Sequence, residues 1–192
     1  MQKDTPVLWL DEETTGLNSY HNDIIELAYL IERGGEIVQA NTFVIAPHNP
    51  DNISDRALQI IGKTKDELLS YPAPEEVLQL LKAEWATQIN PRDRADKMYV
   101  GGYNVHFDID FLNQFFKKCN DRYLGSWINW RRLDALSLIH RLAYIGELVL
   151  PDYKLSTVAK YWGIHIEAHQ ATSDIEATMK VYYKALCLLG SK

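Results

Sequence analysis

Val7-Leu8-Trp9-Leu10-Asp11-Glu12-Glu13-Thr14-Thr15-Gly16 reads as a buried strand that runs into a turn with acidic side chains at its end. Side chains alternate along a strand, so Asp11 and Glu13 share one face while Glu12 takes the other. Two carboxylates aimed at one spot repel, and each favours protonation unless a cation is present. A pair of hard divalent ions with oxygen ligands is their natural partner. Thr14, Thr15 and Gly16 then form a turn that lets another backbone come close. On this stretch alone, a solvated acidic turn after a core strand is an equal alternative.

Outward from this strand, residues 24–31 and 37–45 form two further strand-like runs joined across Gly34-Gly35, a β-hairpin signal. Three strands before any long helix imply a mixed sheet. Residues 53–61 form a short helical segment that stops at Gly62, and Thr64 with Glu67 offers a capping box. In the amphipathic segment 75–89, Val77, Leu80, Leu81 and Trp85 recur at helical spacing and should face the core. Residues 98–104 make a short strand ending in a glycine-relieved close approach at Gly101-Gly102. Residues 106–118 form a helix whose Phe107, Phe111, Leu112, Phe115 and Phe116 face the sheet. Asp108 lies in its first turn, within the helix N-terminal field, while Asp110 must diverge from it. Residues 123–130 read as an irregular aromatic stretch, and 133–139 lead into a helix ending near Gly146. Another helix covers 154–162 with Gly163 as its stop. The closing helix, 171–189, carries Ile175, Met179, Tyr182, Leu186 and Leu189 along its apolar face. No repeat or linker interrupts the pattern, so a single α/β domain over residues 1–192, with its core at 7–189, is the economical reading.

A chain of 192 residues that is 46% hydrophobic and 24% charged can build a sizeable core. A formal net charge of -6 argues against a broad basic face wrapping duplex DNA. It leaves open a few nucleotides held by bound cations and local Lys or Arg residues. Cys119 and Cys187 give no disulfide framework and no metal or redox spacing, and both read as buried thiols. The absence of a membrane-length apolar run or an opening signal segment leads to the expectation of a cytoplasmic protein without a membrane partner.

Near the start of the last helix lies His169-Gln170-Ala171-Thr172-Ser173-Asp174. A rigid aspartate in a first turn suits metal ligation, and a movable histidine just outside suits proton transfer. At this point the sequence resembles the DnaQ-like family of 3'-to-5' exonucleases, in the subclass with four acidic residues and a histidine. Its Asp-x-Glu motif is matched by Asp11 and Glu13, continued by Thr14, Thr15 and Gly16. Its Asn and Phe-Asp motif is matched by Asn104, Phe107 and Asp108, and its His-x-Ala-x-x-Asp motif by His169, Ala171 and Asp174. Ile61 departs from the pattern, since many members place a histidine before the glycine equivalent to Gly62; this reads as a change in a peripheral helix.

The resemblance implies a ribonuclease H-like fold, with a mixed central sheet and flanking helices, and two divalent ions, Mg²⁺ with Mn²⁺ as a substitute. Asp11, Glu13, Asp108 and Asp174 would hold them, Asp11 bridging both, with His169 as general base; these five are the implied catalytic residues. It further implies hydrolysis of terminal phosphodiesters from a free 3' end of single-stranded or frayed DNA, releasing nucleoside 5'-monophosphates, as in proofreading or repair. RNA 3'-end trimming or oligoribonucleotide degradation is the runner-up. A silent binding domain and a phosphodiesterase for small nucleotides are further alternatives. Thr14, Thr15, Gly16, Leu17, Asn104 and Phe107 are the candidate substrate contacts. Leu17 either wedges against a base or packs internally, and Asn104 either positions the substrate or caps a helix. Tyr20, Trp127 and Trp130 are candidates for base stacking. A DNA polymerase subunit and a second copy of the chain are the candidate protein partners.

Overall fold

In the computed structural model, residues 4–166 and 171–190 are described. Five strands, β1 (Val7–Thr14), β2 (Ile24–Arg33), β3 (Glu36–Val44), β4 (Met98–Gly102) and β5 (Ile128–Asp134), form one mixed sheet in the order β3-β2-β1-β4-β5. β2 and β3 pair antiparallel as the expected hairpin and β2 pairs antiparallel with β1, whereas β1–β4 and β4–β5 are parallel. The helices are α1 (Asp55–Ile61), α2 (Lys65–Leu69), α3 (Pro74–Trp85), α4 (His106–Lys118), α5 (Ala135–Tyr144), α6 (Leu155–Tyr161) and α7 (Ala171–Gly190). None of them is long and apolar enough to cross a membrane.

β1 is buried on both faces because both faces are covered, and its alternation divides the core in two. Leu8 and Leu10 join Val77, Leu81 and Trp85 of α3 and Phe111 and Phe116 of α4. Val7 and Trp9 join Ile139 of α5, Val158 of α6 and Ile175 and Val181 of α7. The Trp9 indole lies against Gly101, where any β-carbon would collide with the ring. This is the close approach expected of the glycine pair. The same indole donates to Glu32 Oε2 at 2.8 Å, and the Tyr183 hydroxyl donates to Glu32 Oε1 at 2.7 Å, so this buried carboxylate is well supplied with donors.

β1 and β4 pair only from Val7 to Trp9, and β4 stops at Gly102 while β1 runs on to Thr14. The acidic half of β1 therefore projects beyond its parallel neighbour, braced on the other side by β2. Gly102 must be small here too, since an added β-carbon would come within 2.9 Å of Val105 Cγ2 and 3.3 Å of the Leu10 carbonyl.

α4 spans the expected residues, and α1 ends at Gly62, whose φ of 66° is left-handed. Four expectations are corrected. Part of the stretch taken as irregular, together with Leu133 and Asp134, is β5; its sequence INWRRLD is mostly polar because it is an edge strand with a largely solvated surface. α3 ends at Trp85, and Leu80 is exposed while Leu78 packs inward. On α7, Ile175 and Tyr182 are buried and Met179 and Leu189 pack against the core as expected, but Leu186 is exposed and the smaller Ala177, Val181 and Ala185 are buried as well. Cys187 is exposed and Cys119 is half-buried.

Candidate active site

The projecting end of β1 collects acids from three elements. Asp11 and Glu13 lie on the face that continues Val7 and Trp9, and Asp174 reaches them from the first turn of α7. Glu26 is a member that sequence reasoning missed. It sits directly opposite Glu13 in the antiparallel register, where like charges repel. Burial first, and then the charges of Glu13, Asp174 and Glu26, push Asp11 up to about 7 from a usual 3.8. Glu26 is itself raised by burial, opposed by the Lys63 ammonium. As the one charged residue in the run 24–31, it was visible in the sequence; only the register reveals that it faces Glu13.

The opposite face of β1 brings Glu12 and Asp108 together. Asp108 is buried in the first turn of α4. Burial and the nearby charge of Asp11 hold its carboxyl well above the usual range, against the amide N–H groups of Glu12 and of Asp108 itself, which it accepts. Glu12 is buried and raised by burial and by Asp108, and neither of its carboxylate oxygens has a hydrogen-bond partner among the described residues. Asp11 is thus electrostatically linked to Glu13 and Asp174 on one side and to Asp108 on the other. Carboxylates crowded in this way are held either by protons or by cations. The all-oxygen set Asp11, Glu13, Asp108 and Asp174, crowded and mutually repelling, fits hard divalent ions.

Beside this cluster opens a cleft of about 320 Å³, lined on one side by Glu12, Glu13, Thr14, Gly16, Leu17 and Phe107. Its other wall is α1 and the residue before it: Ser54, Arg56, Ala57, Ile60 and Ile61. Ile61 is therefore at the cleft rather than peripheral as expected, and it also lines the adjoining hollow with Glu13, Glu26 and Lys63. Ser54 caps α1 by accepting from the Ala57 amide at 2.9 Å, which fixes this wall.

The candidate substrate contacts separate into two groups. Leu17 is 88% exposed at the cleft, which removes internal packing as an alternative. Phe107 lines the cleft with its ring centroid 4.7 Å from that of Phe111. The Thr14 hydroxyl donates to the Gly16 carbonyl at 2.7 Å, and Gly16 leaves room for the Asn22 side chain, whose Oδ1 would lie 2.5 Å from an added β-carbon. Thr15, by contrast, is fully buried. Its amide donates to the Asp23 carbonyl, its hydroxyl accepts the Asp23 amide and its carbonyl accepts the Ser54 amide, so it holds the turn from inside. Asn104 is exposed with φ 64°, donates its amide to Asp134 Oδ1 at 2.9 Å and makes no side-chain cap on α4. It does not line the cleft. Trp127 is buried against Trp85, which removes it as a stacking platform. Tyr20 and Trp130 are exposed but away from the cleft lining. His169 lies outside the described residues.

A central mixed sheet whose strand ends present an acid cluster to a cleft defines the class as a ribonuclease H-like α/β nuclease fold. The family model for exonucleases, RNase_T, matches residues 8–182, and the chain belongs to this DnaQ-like exonuclease family. It is 31% identical over 176 residues to a PolC-type DNA polymerase III of Halalkalibacterium halodurans, covering 91% of this chain and 11% of that protein. With the PolC-type enzyme of Bacillus subtilis it shares 28% over 190 residues, 97% of this chain and 12% of the other. The chain thus spans about a ninth of the length of these relatives. Among solved structures, product-bound exonuclease I superposes with a TM-score of 0.75 at 19% identity, covering 95% of this chain and 43% of that one. Escherichia coli exonuclease I in complex with a dT13 oligonucleotide gives 0.75 at 22%, covering 95% and 40%.

Proposed function

We propose that the protein is a metal-dependent 3'-to-5' exonuclease that removes nucleoside 5'-monophosphates from single-stranded or frayed DNA. The observation that carries this reading is the group of mutually repelling carboxylates, Asp11, Glu13, Asp108 and Asp174, of which Glu13 lines a cleft together with Leu17 and Phe107. These four acids would hold two divalent ions, Mg²⁺ or Mn²⁺, which when bound activate water and neutralise charge on a phosphodiester. Asp11, electrostatically coupled to the other three acids, would be the central residue of this set. His169, two residues ahead of α7, would accept the proton of the attacking water. Leu17 and Phe107 offer an apolar seat for the terminal base and sugar, and Arg56 on the facing wall offers a cation to the phosphate backbone. The bond between Thr14 and Gly16 and the inward anchoring of Thr15 keep this seat rigid.

DNA is preferred over RNA because the relatives matched are DNA polymerases and exonuclease I is solved with a DNA oligonucleotide. The same likeness supports work alongside a DNA polymerase in proofreading. Matched 3'-labelled and 5'-labelled DNA and RNA oligonucleotides, incubated with Mg²⁺, test the reading in one product ladder. Stepwise shortening from the 3' end of DNA is expected. An intact 3' terminus with Mn²⁺ supplied overturns it, and faster shortening of RNA replaces the substrate.

A further inference from the structure

At the far end of α4 from Asp108, roughly 16 Å along the helix axis, three unlike metal-binding side chains converge from three separate elements. His48 comes from the connection between β3 and α1, Glu75 from the first turn of α3, and Cys119 from the position immediately after α4. His48 Nε2 lies 3.4 Å from Glu75 Oε1 and 3.8 Å from Cys119 Sγ, and one donor atom from each residue falls within 4.8 Å of the other two. Zinc with its usual bond lengths to sulfur, nitrogen and oxygen sets neighbouring ligand atoms roughly 3.3–3.7 Å apart in a tetrahedron. The triad needs only small side-chain adjustments to meet that spacing.

We propose that His48, Glu75 and Cys119 form a binding site for a borderline-soft divalent cation, Zn²⁺ in the first instance, separate from the acid cluster. The donor chemistry differs from that of the nuclease centre: one thiolate, one imidazole and one carboxylate select zinc over magnesium or calcium. Burial pushes the Cys119 thiol up to about 12, reinforced by Glu75, Asp121 and Asp23. Asp23 and Asp121 are already held by Lys118 and Lys82, at 2.7 Å each, so they are not ligands to the site. Glu75 is 58% exposed, which leaves the fourth tetrahedral position open to water.

A cation here ties the connection carrying His48 to both α3 and α4. The same connection is fastened to the turn beside the cleft, because the Asn49 amide donates to Asp23 Oδ2 and Asn22 Nδ2 donates to the Asn52 carbonyl. Its role is structural: to fix the wall on which α1 begins.

Co²⁺ titration of the metal-free full chain tests this, since a cysteine thiolate bound to Co²⁺ gives a sulfur-to-metal charge-transfer absorption that carboxylate sites do not. The band is expected at one equivalent, is displaced by Zn²⁺, is retained in Cys187→Ser and Asp11→Asn, and is lost in Cys119→Ser. His48→Ala and the surface change Glu75→Gln should each weaken Co²⁺ binding by about tenfold or more. Zn²⁺ should raise the Tm of the parent protein and not that of His48→Ala. Absence of the band, or its survival in Cys119→Ser, overturns the site. Should Cys119→Ser fail to fold, unchanged Co²⁺ affinity in both His48→Ala and Glu75→Gln overturns it equally. Loss of nuclease activity alone does not bear on this site, so the two readings fail separately.

Discussion

Two groups of buried acid occupy opposite ends of β1 and its partner strand, and they are treated in opposite ways. At the beginning, Glu32 lies across from Val7 and receives the Trp9 indole N–H and the Tyr183 hydroxyl. At the other end, Glu12 has no hydrogen-bond partner among the described residues, Glu13 faces Glu26, and Asp11 is driven up to about 7. One strand shows that the fold can satisfy a buried carboxylate where it serves only structure. The shortfall at the other end is therefore local to the candidate site, where the proposed divalent ions would supply the missing positive charge.

The contrast is most exposed to Asp11→Asn. If Asp11 holds the proposed metals, this change should lower Mg²⁺-dependent nucleotide release by about 10³-fold or more, while the metal-free protein stays folded by circular dichroism. Near-normal turnover would break the functional half of the comparison. Glu32→Ala should do the reverse, costing about 2–4 kcal/mol of stability by leaving the Trp9 and Tyr183 donors unpaired, as read from urea unfolding. Its kcat should stay near that of the parent.

Acidity sharpens the comparison further. The folded-state value of Asp11 is raised, so folding favours its protonated form. The stability this contributes is fully present below its unfolded value near 3.8 and is lost as pH rises through about 7. Asp108, Glu12 and Glu26 push in the same direction. Metal-free protein should thus lose stability from pH 4 to 7, Asp11 adding up to about 1.4 kcal/mol per pH unit at its steepest. Mg²⁺ should restore much of it near neutrality, and Asp11→Asn should flatten the slope; an unchanged slope in that variant would show that Asp11 is not the responsible group. The smallest effect is expected from Glu12→Leu, which replaces an unsatisfied carboxylate with apolar volume and should stabilise the metal-free protein by about 1 kcal/mol. A loss of stability instead would mean that Glu12 is satisfied in solution.

Much of this arrangement was legible in the chain. The apolar run 7–10 fixed a central strand, Gly34-Gly35 marked the hairpin, and the phenylalanine spacing located α4 with Asp108 in its first turn. β5 was hidden because an edge strand facing water need not alternate or carry a long apolar run. Leu80 and Leu186 misled because helical spacing does not say how wide the covered face is. Of the candidate site, Asp11, Glu13, Asp108 and Asp174 were singled out by motif order, and Asp11 is electrostatically coupled to the other three. Glu26, Arg56 and Ile61 were not, since their place depends on strand register and on how α1 folds back over the cleft.

The early stop of β4 has a further consequence. Where a longer neighbour would have zipped onto β1, the Glu12 amide is left to Asp108 instead. Sheet extension and the acid pocket thus compete for the same backbone donor. Lengthening β4 by a residue pair after Gly102 would gain ladder bonds at the expense of Asp108's anchorage, a trade that would yield a sturdier but inert variant.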